Sequence, residues 1–189
     1  KKEEILNNKT LERSLLILNE YPKLNVYANL TKGEVEGTTD IVLDVKEKSY
    51  PINFSIFGNN FGSRYTGSTR VGFSLDFANL TKNGDILSLT GIGNIENLNM
   101  MNYYKIGYGI PLMGTGGKIG LSYSKMKYEI DEEWIPLGVD GESEIYTLFL
   151  NYPFIKTRTQ NLILLSSLNY KDMRNYLFER TYVNSHDKF

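Results

Sequence analysis

After Pro51, apolar residues recur at every second position in one segment after another, with turn-forming residues between the segments. Ile52, Phe54 and Ile56 alternate with Asn53 and Ser55, and Val71, Phe73, Leu75 and Phe77 with Gly72, Ser74, Asp76 and Ala78. Leu87 and Leu89 alternate with Ser88 and Thr90, and Tyr104, Ile106, Tyr108 and Ile110 with Lys105, Gly107 and Gly109. Ile119, Leu121 and Tyr123 alternate with Gly120, Ser122 and Ser124, and Tyr146, Leu148, Leu150 and Tyr152 with Thr147 and Asn151. A period of two is the mark of a strand with one apolar face. The pattern weakens from Leu162 to Tyr170, where both faces carry Leu, and Glu179 to Phe189 is a last strand candidate. The class is therefore mainly β and antiparallel, with about seven or eight strands in this part of the chain.

The connections differ by end. If the strands go up and down, Asn79 to Asp85, Pro111 to Gly117 and Pro153 to Gln160 lie at one end. Phe61 to Ser68, Glu96 to Asn102 and Glu129 to Glu144 lie at the other, the last holding seven acidic residues. Short turns on one side and long loops on the other are what bacterial membrane barrels show. Segments of about nine to thirteen residues also exceed the usual strand of a soluble sheet. Two architectures fit the alternation. In a sandwich the apolar rows pack together; in a large barrel they face lipid while the small polar rows line a wet lumen. Alternation alone does not separate them. On the barrel phase Asn53, Ser74, Asp76, Ser88, Lys105 and Ser122 line the pore, and a slip of one residue would reverse them all.

The pattern before Ser49 is different. Ile5, Leu11, Leu15 and Leu18 recur at spacings near three and four, with Thr10 and Arg13 opening the stronger half, and Pro22 ends the helix. Two strands are predicted next, Asn25 to Leu30 and Asp40 to Val45, around loop residues Lys32-Gly33 and Glu36-Gly37. A helix and a hairpin form too small a unit to hold a core unaided, so residues 1–49 are expected to be the end of a domain, with residues 50–189 a second unit. Leu11, Leu15 and Leu18 read first as core against Val26, Ile41 and Leu43. The start, Lys-Lys-Glu-Glu-Ile-Leu, lacks the apolar core of a signal peptide, so for a secreted protein the N-terminus is expected upstream.

Composition narrows the chemistry. The 189 residues carry a net charge of −1, which gives no basic footprint for nucleic acid. The chain has 14 Tyr and 9 Phe but one Trp; Tyr, apolar in body and polar at its tip, suits half-buried strands or a membrane interface. No apolar run approaches the length of a membrane-spanning helix, so a bilayer could be crossed only by a closed barrel. Without Cys there is no disulfide or thiolate site, and a single His makes an imidazole metal site untenable. Ser185-His186-Asp187 has the residue types of a hydrolase triad, but neighbours in a strand point to opposite faces and cannot share a proton path. Gly114-Thr-Gly-Gly-Lys118 lacks the Walker spacing and a following helix, and reads as a hairpin turn rather than a nucleotide site. The acidic run from Glu129 lacks the calcium-loop register and reads as a solvated loop, with Trp134 either at a lipid interface or packed within it. No catalytic residue, cofactor or metal is predicted.

At this point the sequence resembles the outer-membrane partner of two-partner secretion, also described as hemolysin secretion and activation proteins. Leu11-Glu-Arg-Ser-Leu-Leu-Ile-Leu-Asn-Glu-Tyr-Pro22 is similar to the last helix of that family's second polypeptide-transport-associated (POTRA) domain, and Gly37-Thr-Thr-Asp-Ile-Val-Leu-Asp-Val45 to its final strand. Asn59-Asn-Phe-Gly-Ser-Arg-Tyr-Thr-Gly67 resembles the first barrel hairpin, and Asn83 to Gly91 the start of the third barrel strand. Tyr108 to Ser124 and Asn151 to Arg158 resemble the next two short turns.

The resemblance implies a barrel of about sixteen strands in the outer membrane of a Gram-negative bacterium, with the N-terminal part periplasmic. It implies two POTRA domains that receive an unfolded exoprotein, of hemolysin or adhesin type, and pass it through the pore without nucleotide. The first POTRA domain, the later strands and the Arg-bearing motif of the loop that folds into the pore lie outside this sequence, which reads as an excised segment. For the POTRA-like piece the implied role is β-augmentation, an extended substrate adding to an open strand edge. The groove and edge would be Leu11, Leu15, Leu18, Val26 and Ala28. Two other functions stay open: an insertase of the same superfamily, and a soluble β-rich binding or adhesion domain.

Overall fold

A computed structural model describes residues 7–22, 24–47, 52–63, 65–98, 100–130, 138–177 and 182–188. Helix α1, Asn8–Leu18, starts where the extended Asn7 turns its side-chain oxygen onto the N–H of Lys9 at 3.0 Å. Strands β1 (Leu24–Lys32) and β2 (Thr39–Glu47) pair antiparallel, from Leu24 opposite Glu47 to Lys32 opposite Thr39. The helix lies against β1, where Val26 is buried.

The remaining strands form one antiparallel sheet. They are β3 (Ile52–Asn59), β4 (Arg70–Ala78), β5 (Ile86–Asn94), β6 (Met101–Leu112), β7 (Gly117–Glu129), β8 (Asp140–Lys156), β9 (Asn161–Leu177) and β10 (Tyr182–Lys188). Each pairs with its neighbours in the chain, so β3 and β10 are the two edges. The sandwich reading required the apolar rows to clasp one another. Instead they share one open sheet face, with Phe54 60%, Ile56 73%, Leu121 63% and Leu168 72% exposed. The water-soluble sandwich is thereby set aside.

Strand lengths depart from the expectation at two places. β8 and β9 run for 17 residues each, so Asp140 to Glu144, expected in a loop, are strand. β8 also continues past Pro153 to Lys156, with a register irregularity between Pro153 and Ile155 that accommodates the proline. The connections at that end are correspondingly tight: after β6 the chain reverses through Met113 to Gly116, with Gly114 and Gly116 both at φ 76°. Trp134 and the acidic residues 131–133 lie outside the described residues.

The β4–β5 connection shows how one of these turns is fixed. Asp85 is fully buried and receives the Thr81 backbone N–H at 3.0 Å and the Thr81 hydroxyl at 2.8 Å. Asn79, at φ 62°, takes the Gly84 N–H on its side-chain oxygen at 2.9 Å. Burial alone would push the Asp85 carboxyl up. The hydrogen bonds from Thr81, from its own backbone and from Tyr108 outweigh this and hold it below the ordinary carboxylate range. A lowered folded-state pKa means that the contribution is present above the unfolded carboxyl's range and lost as pH falls through the folded value. Asp85→Ala should therefore cost about 1–3 kcal/mol at neutral pH and abolish the acid-sensitive part of Thr81 amide protection. Unchanged Thr81 hydrogen exchange in that variant would show that the carboxylate does not hold the turn.

Candidate functional site

Residues directly opposite each other in an antiparallel ladder share a face, so the registers decide which side chains stand together. Asn53 is opposite Asp76 and Asp76 opposite Ser88. The row continues through Gly107, Ser122, Thr147 and Asn169. Two residues along the strands runs a second row on the same face: Ser55, Ser74, Thr90, Lys105, Ser124, Ile145 and Lys171. The six candidates read from the sequence thus fall in two adjacent rows, Asn53, Asp76, Ser88 and Ser122 in one and Ser74 and Lys105 in the other. Within the first row the Thr147 hydroxyl donates to Asn169 Oδ1 at 2.8 Å.

This face also carries aromatics that the sequence reading missed. Phe149 lies across Gly120 and Gly109, where added Cβ atoms would stand 2.4 and 3.4 Å from its ring. Phe57 covers Gly72 in the same way. A glycine beside an aromatic of matching parity on the neighbouring strand is the signal that would have found them.

The opposite face is apolar and then aromatic. One row reads Ile52, Phe77, Leu87, Tyr108, Leu121, Leu148, Leu168; the next reads Phe54, Leu75, Leu89, Ile106, Tyr123, Tyr146, Tyr170. Tyr146 stands between Tyr123 and Tyr170, with ring centroids 4.9 and 6.2 Å away. Beyond the tyrosines, toward the longer connections, the same face turns ionic. Lys125 pairs with Glu144, and Arg174 with Asp172 at 3.1 Å and Glu142 at 3.7 Å. His186 Nε2 lies 2.9 Å from Asp172, while Ser185 receives the Asn175 side-chain N–H at 2.9 Å, so the two neighbours are engaged on different sides and form no triad.

At the short-turn end, α1 is docked on the sheet. The Arg13 guanidinium donates to the carbonyl oxygens of Pro153 at 3.0 Å and Phe154 at 3.3 Å. Glu20 pairs with Lys156, and Glu12 accepts the Arg158 backbone N–H at 3.1 Å. Ile17, 6% exposed, sits so close to Gly116 that an added Cβ there would lie 2.8 Å from its Cγ1; the Tyr21 ring bears on Gly84 likewise at 2.6 Å. Exposed ion pairs contribute little, so the burial of Ile17 and the two-carbonyl grip of Arg13 carry this contact. The predicted groove residues Leu11, Leu15 and Leu18 are half-buried on the same helix, Ala28 is half-buried and Val26 is 4% exposed. Introducing Ile17→Cys with Gly116→Cys should close a disulfide on mild oxidation, whereas Leu15→Cys, on the other side of the helix, with Gly116→Cys should not. Equal cross-linking of both pairs, read by gel mobility, would contradict the docked geometry.

Comparison with known proteins agrees with this geometry. The family model for haemolysin secretion/activation protein ShlB/FhaC/HecB matches residues 37–188. The heme/hemopexin transporter protein HuxB of Haemophilus influenzae strain Rd is 23% identical over 188 residues, covering 96% of this chain and 33% of HuxB. HuxB of a second H. influenzae strain is 25% identical over 171 residues, covering 90% of this chain and 30% of its own. The chain thus spans about a third of the curated relatives it matches. Among solved structures, CdiB from Escherichia coli superposes with a TM-score of 0.78 at 19% identity, over 98% of this chain and 35% of that one. CdiB from Acinetobacter baumannii gives 0.68 at 18%, over 99% and 39%. With its eight-stranded antiparallel sheet, its opposed polar and apolar rows and a family match over most of its length, the chain belongs to the haemolysin secretion/activation protein family, the outer-membrane transporters of two-partner secretion, and is part of such a barrel.

Proposed function

We propose that the chain is the pore-side working part of a translocator that exports an unfolded partner protein. The observation that carries this reading is the register: two rows of small or polar side chains, interrupted at Ile145, stand on one face of the sheet, directly behind rows of exposed apolar ones. In an outer-membrane barrel the apolar rows meet hydrocarbon and the polar rows, Asn53, Asp76, Ser88 and Ser122 with Ser74 and Lys105, line a water-filled passage. A passage for an extended chain needs short side chains that bond loosely and release, which Ser, Thr and Asn provide. No bond is made or broken, so the role needs no catalytic group.

Orientation follows from the ends. The tight turns, on which α1 docks, belong to the periplasmic side and the longer connections to the outside. Residues 1–49 act as the end of a POTRA domain, held at the periplasmic mouth by Arg13 and Ile17, and deliver substrate by β-augmentation. The name of HuxB, a transporter, supports this role. Substrate is a secreted exoprotein of the hemolysin or adhesin type. Deleting residues 1–49 from the parent protein should abolish secretion of the partner while the barrel remains heat-modifiable in the outer membrane. Normal secretion by that deletion variant would refute the capture role.

A further inference from the structure

We propose that Asn19 is an edge plug that fixes where on β1 an extended substrate segment can pair, an inference that rests on the capture role proposed above. In an antiparallel hairpin the backbone groups of successive residues point alternately toward the partner strand and away from it. The N–H of Val26 donates to Asn19 Oδ1 at 2.9 Å, and its C=O accepts from Asn19 Nδ2 at 2.9 Å. Val26 therefore points away from β2, and so do Leu24, Ala28, Leu30 and Lys32. The Gly33 N–H bond to Thr38 at 3.0 Å confirms the parity from the hairpin's other end.

The chain itself occupies the first half of this outer edge. The Leu24 N–H goes to the Tyr21 carbonyl at 3.3 Å, and Val26 is satisfied by Asn19. The Asn19 amide presents to Val26 the same donor and acceptor that a passing peptide group would, so the edge is shaped to receive one. Its Nδ2 also bonds the Leu15 carbonyl at 2.9 Å, which ties the plug to the end of α1. Among the described residues, no hydrogen bond reaches the outer N–H or C=O of Ala28 or Leu30. The open site is thus Ala28 to Lys32. Its occupant is a β-prone stretch of unfolded polypeptide with apolar residues at alternate positions, continuing the face that carries Val26, Ala28 and Leu30. The plug prevents the substrate from pairing farther toward the helix and so sets its register.

The test is amide hydrogen exchange on the full-length parent protein in detergent, with and without a short alternating Thr-Val peptide. In the wild type the peptide should slow exchange at Ala28 and Leu30 and leave Val26 unchanged. In Asn19→Ala, Val26 should exchange quickly alone, become slowed by the peptide, and the peptide should bind about tenfold more tightly through the added pairing. Asn19→Asp, which keeps the acceptor for the Val26 N–H, should not gain this. The amides of Asn25 and Tyr27, which face β2, report whether the hairpin stays folded; if Asn19→Ala loses it, the wild type decides alone. Peptide-induced slowing at Val26 in the wild type, or an Asn19→Asp variant that behaves like Asn19→Ala, overturns the plug but leaves capture standing. No slowing anywhere on the outer edge, in the wild type or in Asn19→Ala, overturns capture and the plug together.

Discussion

In hydrocarbon a backbone N–H or C=O has no water to bond, so a sheet that crosses a bilayer must satisfy every such group within its own ladder. That constraint holds β3 to β10 in one unbroken antiparallel series, and the rest of the site follows from it. Once the ladder fixes the registers, side chains of one parity fall on one face across all eight strands. The sorting into a polar wall and an apolar wall is therefore a single cooperative choice. A slip at any one pair would turn the strands beyond it inside out.

The same ladder explains where the face changes character along the strands. The row of Tyr123, Tyr146 and Tyr170 ends the apolar band, as the aromatic girdle of a membrane barrel does. Beyond it Lys125 pairs across strands with Glu142 and Glu144, and Arg174 with Glu142, while Arg174 also holds Asp172 on its own strand; these pairs favour β7, β8 and β9 continuing as strand rather than loop. At the other end the turns are braced by Asp85 and by glycines, and the surface they make is what α1 rests on.

The sequence reveals these layers unevenly, for physical reasons. The strands are visible because a period of two survives wherever one face is apolar and the other small or polar, so Val71 to Ala78 or Tyr104 to Ile110 can be placed by eye. The upper ends of β8 and β9 are not, since Glu142, Glu144, Lys171 and Arg174 look like loop until their cross-strand partners are known. The double-faced Leu162 to Leu165 hides its strand for the opposite reason, and pairing with β8 decides it. The candidate lumen residues could be listed from alternation, but the two rows they belong to need six registers. Arg13, Ile17 and Asn19 were illegible: the first two act on Pro153, Phe154 and Gly116, far away in the chain, and Asn19 looks like an ordinary helix end. The leucine stripe drew attention to one side of α1, while the other side holds the dock.

The central claim is the phase of the sheet, and β7 tests it most directly. Because these 189 residues contain no cysteine, single cysteines can be placed in turn at Ile119, Gly120, Leu121, Ser122, Tyr123 and Ser124 of the parent protein, with any cysteine elsewhere in it replaced by serine, and exposed in membranes to a water-soluble maleimide. Labelling should alternate, strong at Gly120, Ser122 and Ser124 and weak at Ile119, Leu121 and Tyr123. Labelling of Leu121 and Tyr123 with protection of Ser122, or equal labelling along the whole strand, would contradict a polar wall facing a wet passage.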